Sequence, residues 1–128
     1  MAELSGRCLC GGVRFKVNGE ILSAGHCHCE SCRRATSSPV TTFFTVRRSD
    51  AEIGGGSLRF YASSPGVKRG FCGNCGSPMS FQTDERPNEM DFYVASLDDG
   101  LHVEIHEHWH WDERVDWLNV TDDLPKGS

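Results

Sequence analysis

Residues 8–12 read Cys8-Leu9-Cys10-Gly11-Gly12 and residues 72–76 read Cys72-Gly73-Asn74-Cys75-Gly76. Thiolates two or three positions apart chelate one ion readily, whereas a disulfide between such near neighbours is strained. A tetrahedral zinc with Zn–S bonds of about 2.3 Å holds its sulfurs roughly 3.8 Å apart, a separation that short turns supply. In an extended strand Cys8 and Cys10 share a face but stand nearly 7 Å apart, so the backbone must bend to bring both onto one ion. Gly11 and Gly12 follow at once and permit that bend. The glycines around Cys72 and Cys75 let backbone amides approach the sulfurs, and together the two segments read as a zinc site.

A third group, Cys27, Cys29 and Cys32, brings the count to seven, an odd number that a closed disulfide framework would not use up. The seven divide naturally into four and three: Cys8, Cys10, Cys72 and Cys75 closing one site, and Cys27, Cys29 and Cys32 forming a tripod. A closed four-sulfur site is structural, and three protein ligands with an open position is the usual catalytic arrangement. Spacing also permits Cys8 and Cys10 to pair with Cys29 and Cys32, or a histidine to serve as a fourth ligand. Arg33 and Arg34 follow Cys32 directly and flank the open site. The other basic pairs, Arg47-Arg48 and Lys68-Arg69, read as solvated or ion-paired surface.

With 128 residues the chain is expected to form a single domain, 1–128, that buries about two thirds of its unfolded surface. No apolar run approaches the roughly 18 residues needed to span a bilayer. The segment MAELSGRC lacks the basic and apolar stretches of an export signal, so a reducing cytoplasmic location is expected, where clustered cysteines bind metal or do chemistry. Formal net charge is −5. Seven thiolates and two divalent ions would take it to about −8, a balance that repels nucleic-acid phosphate. Neither a nucleic-acid nor a membrane partner is expected.

The patterning is β. Val13, Phe15 and Val17 alternate with Arg14 and Lys16, residues 40–46 are β-branched and aromatic, and 58–61 and 92–96 are further strand candidates. Helix is confined to one short stretch at 30–35. The fold class is therefore all-β with little helix. Gly54-Gly55-Gly56 is a loop between short strands, because no phosphate-binding pattern surrounds it. From 102 to 111 a strand would set His106, His108 and His110 on one face and Val103, Ile105, Trp109 and Trp111 on the other, with Glu107 discordant among the apolar residues. That reads as a polar or partly buried strand face, in which His106 and His108 are secondary candidates for proton transfer or substrate contact.

The segments GRCLCGGVRF at 6–15, CHCESCRRATSSP at 27–39 and RGFCGNCGSPMSF at 69–81, with Trp117, Asp122, Asp123, Leu124 and Pro125 in the tail, resemble the glutathione-dependent formaldehyde-activating enzyme family, which includes centromere protein V. The resemblance implies twisted antiparallel sheets of the zinc-bound β-tent type. It implies structural zinc on Cys8, Cys10, Cys72 and Cys75, and catalytic zinc on Cys27, Cys29 and Cys32. Thr36, Ser37 and Ser38 stand where many relatives carry a glycine.

The activity so implied is that of a zinc-dependent carbon–sulfur lyase acting on a thiol adduct such as S-hydroxymethylglutathione, formed from formaldehyde and glutathione. A zinc held by three thiolates is net −1, which blunts its power to acidify water and suits it to a soft thiol. The ion would hold the glutathione sulfur or polarise the aldehyde oxygen, and Arg33 and Arg34 would hold glutathione's carboxylates. A thiolate-rich site also accepts iron. The alternatives are a non-catalytic zinc-stabilised binding module, as the centromere relative suggests, and a thiol or metal sensor built on a labile tripod.

Overall fold

The alternation of Val13, Phe15 and Val17 with Arg14 and Lys16 becomes a strand whose apolar side is buried and whose basic side is exposed. The structure, a computed structural model, describes residues 2–128. Along the chain lie β1 (Ala2–Arg7), β2 (Arg14–Gly19), β3 (Ser23–Cys27), α1 (Glu30–Thr36), β4 (Thr41–Arg47), β5 (Ala51–Gly54), β6 (Leu58–Ser64), β7 (Val67–Cys72), β8 (Pro78–Thr83), β9 (Glu89–Tyr93) and β10 (Glu107–Trp109). One sheet has the order β1-β2-β5; the other has seven strands in the order β10-β3-β4-β9-β8-β7-β6. All pairings are antiparallel except that of β10 with β3.

The larger sheet buries both faces at its centre, which is why Phe43 and Phe44 stand side by side in β4 and both are buried. Phe44, Val46, Met90 and Phe92 turn toward the small sheet and join Leu4, Val13, Phe15 and Val17 in the main core. Phe15 stacks on Phe92 at 4.4 Å between centroids, so the two sheets meet ring to ring. Phe43 and Tyr93 turn the other way and pack with Cys27 and Cys32. Truncating a ring as buried as Phe44 or Phe92 costs about 3–5 kcal/mol.

Two strand expectations change. The strand expected at 92–96 is Glu89–Tyr93, paired with β4 from Glu89 opposite Arg47 to Tyr93 opposite Phe43, and a 3₁₀ turn follows at Val94–Ser96. Asp91 sits inside it because Thr45 and Arg86 satisfy its carboxylate. Of the alternating stretch at 102–111 only residues 107–109 pair as a strand. Its far edge is occupied by the tail, with the His108 amide donating to the Pro125 carbonyl at 2.8 Å and the Gly127 amide to the His108 carbonyl at 3.0 Å. Among the described residues no helix is long and apolar enough to cross a membrane.

Candidate metal centres and the cavity beside them

The first cysteine group lies just beyond β1. Gly11, at φ +81°, reverses the chain so that the Cys8 amide reaches the Val13 carbonyl at 3.0 Å. Cys8 and Cys10 thereby bring their sulfurs to 3.7 Å, and Cys10 and Cys72 lie 3.8 Å apart, matching the edge of a tetrahedral zinc site. The sulfurs of Cys8, Cys10, Cys72 and Cys75 all lie within 4.8 Å of one another. Hydrogen-bond donors surround them. The Val13 amide points at Cys8 (3.2 Å), the Gly12 amide and Asn74 amide group at Cys10 (both 3.4 Å), and the Cys75 amide at Cys72 (3.4 Å). The Ser77 hydroxyl and backbone amides hold the Cys75 thiol down to about 5. Such a shell suits thiolates on a cation.

The second group is assembled by α1. Cys27 ends β3, Cys29 is the helix N-cap and accepts the Cys32 amide at 3.3 Å, and Cys32 lies in the first turn. A seven-residue helix has little stability alone, so its place depends on these contacts and on the cap. It ends at Ser37 in the left-handed conformation (φ 53°), the position where a glycine would sit without strain. The three sulfurs also lie within 4.8 Å of one another. Hydrogen bonds from Cys27 and Cys32 hold the Cys29 thiol down to about 2, while Cys27 is pushed up by the same sharing and by burial. Three sulfurs this close cannot all carry charge without a cation among them. A soft divalent ion fits both groups, and the structure keeps Cys29 and Cys32 with Cys27 rather than with Cys8 and Cys10.

The tripod opens onto a cavity of about 520 Å³ lined by residues of the large sheet and α1. Trp109, opposite Cys27 in register, lies over Gly25, where a Cβ would come within 2.6 Å of the indole. Phe43 and Phe81 complete an aromatic wall. Arg69, 8% exposed, places both terminal guanidinium nitrogens 3.7 Å from the Cys32 sulfur and donates to the hydroxyls of Ser31 (2.9 Å) and Ser63 (3.1 Å). On the opposite side Arg86 grips Asp91 at 2.8 and 3.2 Å and Glu89 at 2.9 Å.

Arg33 and Arg34 lie outside this cavity. Arg33 donates to the His28 carbonyl at 3.3 Å, and Arg34 pairs with Glu30 at 2.8 Å and borders a neighbouring pocket with Ser31 and Tyr61. The three histidines expected on one face separate: His106 and His110 are exposed, and His108 is buried. His108 bridges the His28 imidazole (2.8 Å) and the Asp122 carboxylate (2.9 Å), tying the tail to the loop that carries Cys27 and Cys29. Burial, with His108 close by, pushes His28 down to about 4. Reading the residues missed Arg69, Arg86 and Asp91. Lys68-Arg69, expected as solvated or ion-paired surface, divides in the structure: Lys68 is exposed and Arg69 is buried.

Among known proteins, the chain is 36% identical over 81 residues to an uncharacterized lyase of Schizosaccharomyces pombe, covering 63% of this chain and 58% of that relative's length. The chain therefore spans less than two thirds of the curated relative. A crystal structure of a Rhodobacter sphaeroides protein, solved as a structural-genomics target, superposes with a TM-score of 0.64 at 29% identity, covering 82% of this chain and 98% of that one. The family model for glutathione-dependent formaldehyde-activating enzyme matches residues 3–113. With that span covering both cysteine groups, the chain belongs to the glutathione-dependent formaldehyde-activating enzyme family.

Proposed function

We propose that this chain is a single-domain, zinc-dependent carbon–sulfur lyase of the reducing cytoplasm, joining and separating an aldehyde and a thiol as in S-hydroxymethylglutathione. The observation that carries the reading is the placement of three convergent cysteine sulfurs in the wall of a 520 Å³ cavity, while four others converge at a separate point. Cys8, Cys10, Cys72 and Cys75 hold a structural zinc, and Cys27, Cys29 and Cys32 hold the working one. Bound there, zinc supplies Lewis acidity toward a thiolate sulfur or a carbonyl oxygen.

The residues around the tripod do the rest. Arg69 balances charge at Cys32, Trp109, Phe43 and Phe81 keep water from one side of the reacting carbon, and α1 fixes Cys29 and Cys32 in one rigid turn. Arg33 and Arg34 contact whatever part of a longer thiol, such as glutathione's carboxylates, extends past the cavity. Elemental analysis under mild chelation separates this reading from a sensor. An enzyme retains two zinc ions per chain and accelerates formaldehyde exchange with the thiol adduct. A sensor releases the second ion reversibly on oxidation and leaves the exchange at its uncatalysed rate.

A further inference from the structure

The cavity holds an unusual balance of charge. Its three basic residues are already engaged by the protein: Arg69 by Cys32, Ser31 and Ser63, Arg86 by Asp91 and Glu89, and His110 by Glu113 at 3.6 Å. Of its three carboxylates, Asp91 and Glu89 are held by Arg86. Glu107 is different. It lies half-buried on β10 opposite Gly25, two residues from Trp109 on the same side of the strand, and among the described residues it has no ion pair and no side-chain hydrogen bond. This is the acidic residue that broke the apolar alternation of 102–111.

A divalent ion on three thiolates carries −1, Arg86 between two carboxylates leaves −1, Glu107 adds −1 and Arg69 returns +1, so the loaded cavity is near −2. A carboxylate-bearing thiol entering it meets like charge and finds no unengaged cation inside. A thiol with an ammonium group meets Glu107 and the indole of Trp109, an aromatic face that attracts cations as well, while the Phe81 ring is already taken by Arg69.

The geometry points to Glu107 as a specificity-determining residue that selects a thiol carrying a cationic ammonium group a few bonds from sulfur, in preference to an anionic thiol. The inference rests on the thiol site proposed above and names the substrate class of that site. Glu107 forms the ion pair, and the indole of Trp109, seated over Gly25, provides the flat face along which the ammonium lies.

The test is calorimetric binding to the zinc-loaded full chain of three thiols of similar length: thiocholine, 2-mercaptoethanol and 3-mercaptopropionate. Thiocholine is fixed in its charge and has no amine lone pair with which to strip zinc. Thiocholine should bind at least tenfold more tightly than 3-mercaptopropionate, with the neutral thiol between them. Glu107→Gln should shrink the ratio to below about threefold with two zinc ions retained, and Glu107→Lys should reverse the order. Equal or tighter binding of 3-mercaptopropionate by wild type overturns the inference, as does an unchanged ratio in the zinc-replete Glu107→Gln protein. Binding and turnover are read separately. A charge preference without formaldehyde exchange defeats the lyase reading alone, whereas exchange without a charge preference defeats the role of Glu107 alone.

Discussion

Arg69 on β7 meets the sulfur of Cys32 on α1 with both terminal nitrogens of its guanidinium at 3.7 Å, although 37 positions separate the two residues. A nearly buried arginine needs a negative partner, and here the partner is a sulfur rather than a carboxylate. The Phe81 ring, 4.9 Å from the guanidinium carbon, covers its other side. The contact joins the helix to the strand that also carries Cys72, so the two cysteine groups are linked through β7.

Replacing Arg69 by methionine keeps the apolar bulk and removes the charge. Hydrogen bonds to a charged group contribute about 1.5–3 kcal/mol, so Arg69→Met should lower the melting temperature by roughly 5–10 °C. In a Cys32→Ser background the same change should cost less than half as much, because the partner is already gone. Cobalt substitution gives a second readout. Loss of the hydrogen bonds to Cys32 should move the sulfur-to-cobalt charge-transfer band to longer wavelength, which a purely steric role for Arg69 would not do.

Cys72 is fully buried, and its sulfur ties β7 to the loop after β1. A structural zinc contributes on the order of 10 kcal/mol, comparable with the whole stability of a domain this size. Cys72→Ser should leave little folded protein at room temperature. A soluble variant whose melting temperature matches wild type would contradict the structural assignment.

Ser37 ends α1 in the left-handed region with no side-chain hydrogen bond to offset the strain. Ser37→Gly should stabilise the protein by about 0.5–1 kcal/mol, seen as a rise of a few degrees in melting temperature with two zinc ions retained. A fall in stability would mean that the serine side chain has a role at the helix end.

Much of this was legible in the residues because ligand spacing is a local property. CxCGG, CxCxxC and CGNCG are short turns, and each turned out to converge its sulfurs; the helix expected at 30–35 is Glu30–Thr36. What could not be read depends on contacts distant in sequence. Lys68-Arg69 looks like surface because nothing nearby in the chain says that Arg69 faces α1. The cavity takes side chains from all seven strands of the large sheet, so neither Asp91 nor Arg86 announces itself. The alternation at 102–111 was misleading for a related reason: His108 is held between His28 and Asp122, and the tail occupies the strand's outer edge.

The most direct measurement of the central claim is the exchange rate between free formaldehyde and its thiol adduct, read by NMR for wild type and Cys29→Ser, each with its zinc content determined. Serine still caps α1, so the variant should fold, bind about one zinc ion instead of about two, and lose at least a hundredfold in exchange rate. Wild type carrying two zinc ions should accelerate exchange of S-hydroxymethylglutathione or of a cationic analogue. If fully loaded wild type leaves the exchange at its uncatalysed rate, or if Cys29→Ser keeps both ions and the full rate, the tripod is not the working centre of a lyase.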